Sequence, residues 1–348
     1  MSYRIHPNGQ GLVATTATVE ETVFVDRLAT VRGNAVVTGR ARLEHMAIVA
    51  GNAKVSGNAC ISGFAEVLDD AEVSGSAFVH GNAKITESSF VYGCAEVSDN
   101  VVVSGKAQIL GWAVVSGSAH ISGNAEILGD AHVFDNASVS GHAWVFGHAS
   151  VFDSAKVAGE ADVYGKATVC GHSTVEGRTY VTDQAVILHS AHILGLAVIR
   201  HDAIVCGNAK IYEGANIYGT AIVAGSAVVR GYAHIYGESK IGGESRIFGQ
   251  SKVYDKAIVH GTAEIFGRAE IYGNAVIRGN AMVYGLAFVG DDAQVFDNAR
   301  VYEDGWVYDR AKVHGHSSVS GNAEVFGDAD LLRSASGYEK IARTKNGQ

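Results

Sequence analysis

The chain has 348 residues, among them 43 glycines, one proline and four cysteines, and carries a formal charge of −9. An acidic chain without a basic stripe argues against nucleic-acid binding, and the absence of any run of 18 apolar residues argues against a membrane-spanning helix. Four scattered cysteines (Cys60, Cys94, Cys170, Cys206) do not make a disulfide framework. The opening "MSYRIHPNGQG" lacks the apolar core of a secretion signal, so a cytoplasmic location is expected.

Residues 1–12 carry no repeat and are expected to form an N-terminal cap. From Val13 onward every sixth residue is Val, Ile or Leu, through 54 positions to Leu331, with no insertion or deletion. Most have Ala two places before, replaced by Ser or Thr at Ser173, Thr179, Ser239 and Ser245. Two places after comes Gly or Asp, then very often Asn, as at Asn52, Asn58, Asn82, Asn124 and Asn208. A repeat this short cannot be helical. Alternation places Ala and the aliphatic on the inner face of a short strand, with the residues either side of the aliphatic pointing out. Gly-Asn is expected to turn a corner, since both tolerate positive φ. Asp in the glycine place (Asp69, Asp135, Asp153, Asp255) is expected to hydrogen-bond its own backbone. Three strands and three corners close a triangle of 18 residues. The expected fold is therefore all-β, a parallel β-helix of about 18 coils over residues 13–333, about 85 Å long at the usual strand spacing. Residues 334–348, "SASGYEKIARTKNGQ", are expected to form a short tail or cap with at most a turn or two of helix.

The hexads, such as "VSGNAC" and "VHGNAK", resemble those of the hexapeptide-repeat proteins, the bacterial hexapeptide transferase superfamily. "IHPNGQG" resembles their opening segment, and the runs "YGNA", "YGKA" and "FGHA" are most similar to the YdcK-like branch. The glycine falls one place later than in the usual family unit. The resemblance covers residues 5–335 and implies a single-stranded left-handed triangular prism, a homotrimer, and acyl transfer from acetyl-CoA with a histidine deprotonating the acceptor. Such enzymes generally interrupt their coils with a loop at the active site. This chain has no inserted loop, so no cofactor is evident from its own residues, and acetyl-CoA is expected only if it is an acyltransferase.

Residues 18 apart share a wall in successive coils, so the surface can be mapped by counting. Most of the 15 histidines scatter; His80, His120, His132, His234, His260 and His314 read as solvated polar residues on outward strand positions. Asp183 and His201 occupy equivalent corners of adjacent coils, an arrangement that suits a general base. His172 and His189 share another corner, near Cys170 and His192. Polar residues also fill corners simply because corners are wet, and both readings stand. A three-histidine zinc site needs two histidines five apart, and there are none. Stacked acidic corners (Asp135 with Asp153, Asp291 with Asp309) are better read as turn residues than as calcium ligands.

Just after the aliphatic, the wall containing Val163 carries Phe146, Tyr164, Tyr218, Tyr236, Tyr254, Tyr272, Tyr308 and Phe326, with Thr182, Arg200 and Gly290 as breaks. A second wall carries Tyr212, Phe248, Phe266, Tyr284 and Tyr302. These rings are expected either to stack as a ladder that pins the register or to form a flat surface for a glycan or protein partner. A third wall is apolar outside at Val186, Leu188, Ile204, Cys206, Ile222, Ala224 and Ile258, read as four successive coils and as a homo-oligomer interface beside the His172/His189 corner. The expected function is a non-catalytic β-helix scaffold or binding protein, with a CoA-dependent acyltransferase as the alternative.

Overall fold

The computed structural model describes residues 2–343. Among them there is no helix; the chain is a β-solenoid of about 18 turns of about 18 residues, built from three parallel sheets. It divides into two compact units, Met1–Glu176 and Gly177–Gln348. In the first, strand Glu66–Val67 lies parallel between Ile48–Val49 and Lys84–Ile85. In the second, Arg246–Ile247 lies likewise between Val228–Val229 and Glu264–Ile265. The register in both examples is 18 residues, as the hexad count requires.

Most strands are two residues long because the hexad spends its other residues on the corner. Their inner positions are fully buried: Val229, Ile235 and Ile241 are at most 2 % exposed, as are Ala221, Ala227 and Ala233. Each buried aliphatic contributes on the order of 1.5–3 kcal/mol. The alanines sit inside the corner, a place that Val23, Val101 and Thr179 also fill while fully buried. Serines in that place keep their hydroxyls satisfied by donating three residues back, Ser245 to the Gly242 carbonyl at 2.8 Å and Ser251 to Phe248 at 3.0 Å. The Thr179 and Ser239 hydroxyls find no partner.

The corner is built differently from the expectation. Only the Gly or Asp place takes the left-handed conformation (Gly225 at φ 71°, Asp255 at 56°), and the Asn that follows does not. The asparagines instead link turns through their side chains, Asn82 Nδ2 donating to Asn100 Oδ1 at 2.9 Å and Asn280 to Asn298 at 3.2 Å. Nor do the corner aspartates bond their own backbone. Asp153 Oδ2 accepts the Gly171 N–H at 2.9 Å and Asp255 Oδ2 accepts the Gly273 N–H at 3.1 Å, each one turn on. The physical reason is the ladder. Strand amides donate to carbonyls 17 residues away, as Tyr218 does to Ile235 at 2.9 Å. The amide of the left-handed residue meets no carbonyl there, and where the preceding turn has Asp, Glu or His at that place its side chain accepts it.

Before the repeats, Tyr3–Ile5 pairs antiparallel with Leu12–Ala14. His6, fully buried, donates from Nε2 to the Val23 carbonyl at 2.9 Å. The tail differs from the expected helical turn. Lys340–Arg343 is a strand parallel to Glu324–Gly327, with Lys340 opposite Glu324, and Ala335 bridges to Val319. The register there shortens from 18 to 16, which lets Ala335 and Ile341 continue the inner pattern after the aliphatic count stops at Leu331. Residues 344–348 of the expected tail lie outside the described residues.

Candidate functional site

The second unit brings Asp183 and His201 together at their corner, with His201 Nε2 4.0 Å from Asp183 Oδ2. That carboxylate oxygen, however, already accepts the backbone N–H of His201 at 2.9 Å. The imidazole does the same for the next turn: Nδ1 accepts the Gly219 N–H at 3.3 Å. This places the ring proton on Nε2. Both residues take the left-handed conformation, with φ of 60° and 59°. Asp183, His201 and Gly219 thus form a chain in which each side chain reaches one turn ahead. His189 belongs to the same scheme, its Nδ1 accepting the Gly207 N–H at 3.4 Å. His172, exposed, lies in the first unit and His189 in the second.

The thiols of Cys60, Cys170 and Cys206 are poor nucleophiles. Burial pushes Cys170 and Cys206 up, and Cys60 is pushed up to about 11 by burial and by the Glu44 carboxylate. All four cysteines are free, and thiols held above neutrality react slowly. Among the described residues no three His, Cys, Asp or Glu side chains converge as metal ligands, and no helix is long and apolar enough to cross a membrane.

The aromatic positions form stacks. In the first unit Phe146 and Tyr164 lie 4.7 Å apart with planes 2° off parallel. In the second, Tyr218, Tyr236 and Tyr254 follow at 4.8 and 4.9 Å, with the Arg200 guanidinium over Tyr218 at 4.9 Å. Phe248, Phe266, Tyr284 and Tyr302 repeat the arrangement at 4.9, 4.7 and 5.1 Å, with Arg230 over Phe248 at 5.0 Å. This spacing is that of neighbouring strands. Ring faces therefore cover one another, and the columns show ring edges and hydroxyls, not a flat platform. Burial raises the phenols of Tyr236, Tyr254, Tyr272, Tyr284 and Tyr308.

The tyrosine column breaks at Gly290. Tyr272 tilts 17° from Tyr254 and leans into the gap; a Cβ on residue 290 would come within 2.1 Å of its ring. A groove of about 260 Å³ lies there, lined by Tyr272, Trp306, Tyr308 and Glu324. Tyr308 donates to Glu324 Oε2 at 3.1 Å, and Lys340 donates to Oε1 at 2.8 Å. Those hydrogen bonds, Lys340 first, hold the half-buried Glu324 carboxyl below the usual range.

The outward apolar residues Val186, Leu188, Ile204, Cys206, Ile222, Ala224 and Ile258 are all half-buried. Val186–Ile187, Ile204–Val205 and Ile222–Val223 are consecutive strands. Lys240–Ile241 then separates Ile222 from Ile258, so the apolar strip spans three consecutive turns and not four.

Sequence counting missed a second offset. A ring just after one aliphatic reaches the acid just before the aliphatic of the next turn, 16 residues on. His80 Nε2 meets Glu96 at 3.1 Å, Tyr254 donates to Glu270 at 3.3 Å, and His314 Nε2 lies 2.6 Å from Asp330. His314 also stacks on Phe296 at 4.8 Å. His80 and His314, read as solvated, are thus tied to carboxylates, as is His148 to Asp130 at 3.5 Å. His234 borders a groove with Tyr232, Gln250, Lys252, Arg268 and Glu270. Burial, then the Lys252 and Arg200 charges, hold it below the usual histidine value.

A family model described as the YdcK β-solenoid repeat matches residues 293–309, about the length of one turn. No curated protein matches the chain. The matched repeat and the parallel sheets make this a β-solenoid repeat protein.

Proposed function

We propose that this β-solenoid repeat protein is a non-catalytic scaffold or binding protein that displays its outward walls to a partner. The observation that carries this reading is the use of the corner side chains. A histidine that deprotonates an acceptor needs a free ring nitrogen near substrate and an orienting partner on the other. At His201 the inner nitrogen accepts the Gly219 N–H, and the Asp183 oxygen nearest the ring is taken by a backbone amide. His189 is engaged in the same way. These groups hold turns together.

The aromatic columns support display of edges and hydroxyls, which suits a polar protein or glycan partner that hydrogen-bonds to them. The apolar strip at Val186, Ile204 and Ile222 supports self-association, as a trimer if the resemblance to hexapeptide-repeat proteins extends that far.

Calorimetric titration with acetyl-CoA, on the oligomer found by light scattering, tests the reading against acyl transfer. The expected result is no saturable heat. Saturable binding that His201→Ala or His189→Ala abolishes would overturn the scaffold in favour of an acyltransferase.

A further inference from the structure

A groove of about 560 Å³ in the second unit is lined by Tyr284, Asn298, Arg300, Tyr302, His316 and Ser318. Its lining holds no carboxylate, although acidic residues outnumber basic ones by 36 to 27 in the chain. Other outward arginines meet an acid or a ring: Arg42 pairs with Glu44 at 2.6 Å, Arg246 with Glu264 at 3.2 Å and Arg310 with Asp328 at 2.7 Å, while Arg200 and Arg230 lie over Tyr218 and Phe248. The pairing of Arg246 arises because the position opposite it on the next strand is an acid. Opposite Arg300 stand Met282 on one side and Ser318 on the other. Among the described residues Arg300 has no carboxylate within salt-bridge distance.

The acids flanking the groove in sequence are engaged already. Asp297 Oδ2 accepts the Gly315 N–H at 3.1 Å and Glu303 Oε2 accepts the Gly321 N–H at 2.7 Å. The remaining lining groups can donate. Asn298 uses its carbonyl oxygen for Asn280 at 3.2 Å, leaving its amide N–H groups. Tyr284 and Tyr302, stacked at 5.1 Å, offer phenol hydroxyls, and His316, exposed at the adjacent corner, offers a ring N–H. The Ser318 hydroxyl is shared with Ser334 at 2.9 Å.

We infer that this groove binds the oxyanion, carboxylate or phosphate, of an organic ligand, with the Arg300 fork as its charged anchor. A guanidinium presents two parallel N–H groups matched to either oxyanion. The groove exceeds the size of a bare oxyanion, and the tyrosine hydroxyls suit the polar body of such a ligand, a sugar for example. The inference rests on the reading of the solenoid walls as binding surfaces.

Titration of the full chain with glucuronate, glucose 6-phosphate and glucose at low salt tests it. One of the two anionic sugars is expected to bind, weakening as salt rises and by about tenfold in Arg300→Gln. The sugar that binds assigns carboxylate or phosphate. Arg300 is exposed, so that variant should keep its thermal midpoint, checked in the same samples. Binding of glucose as strong as either anion, undiminished binding by Arg300→Gln, or no binding of either anion at millimolar concentration overturns the groove. Turnover of acetyl-CoA overturns the scaffold and leaves the groove's own result readable.

Discussion

Gly225→Val is expected to destabilise the second unit by about 3–5 kcal/mol, whereas Gly225→Asp should cost about 1 kcal/mol. Gly225 has φ 71°, and a Cβ there would lie 2.7 Å from the Gly243 carbonyl oxygen and 2.9 Å from its nitrogen. Valine meets both penalties, the left-handed backbone and the collision with the next turn, and its branched side chain returns nothing. Aspartate meets them too, but Asp255 and Asp297 show how they are eased. Their φ values close to 56° and 60°, and their carboxylates accept the amide one turn on, Gly273 and Gly315, each at 3.1 Å. Denaturant midpoints of the two variants check the contrast.

Ile235→Ala is expected to cost about 2–5 kcal/mol. Ile235 is fully buried, in strand pairs with the strands of Ile217 and Val253. In a globular core neighbouring elements can shift to fill a void. Here each neighbour is fixed by backbone bonds to its own next turn, so the cavity stays open. Because each turn contacts only those beside it, the loss should be local. Amide exchange should quicken most in the turns carrying Ile217, Ile235 and Val253, which hydrogen-exchange mass spectrometry resolves.

The fold was readable because one hexad encodes strand, corner and core at once. Val13 to Leu331 fixes both the inner face and the 18-residue register. What counting by 18 could not reach were relations at other offsets or with backbone atoms. Tyr254 with Glu270 and His314 with Asp330 are 16 apart, since side chains lean along the strand into the next turn. The partner of Asp183 is the His201 backbone as much as its ring, and residue types do not advertise an amide. The tolerance of asparagine for positive φ hides its role at the corners, where Asn82 and Asn280 act through their amides. Lys240, overlooked between Ile222 and Ile258, shortens the apolar strip. Gly290 looked like a mere interruption, and only the tilt of Tyr272 shows what its missing side chain makes room for.

The claim that corner histidines and acids serve the backbone of the next turn is tested most directly by the Gly219 amide in His201→Ala and His201→Asp. With the Nδ1 acceptor removed, exchange at Gly219 should quicken in His201→Ala, with about 1 kcal/mol of stability lost. His201→Asp should restore slow exchange, because a carboxylate at that corner reaches the same N–H, as Asp255 reaches Gly273. Unchanged exchange and stability in His201→Ala would contradict the account and free the Asp183–His201 pair for chemistry.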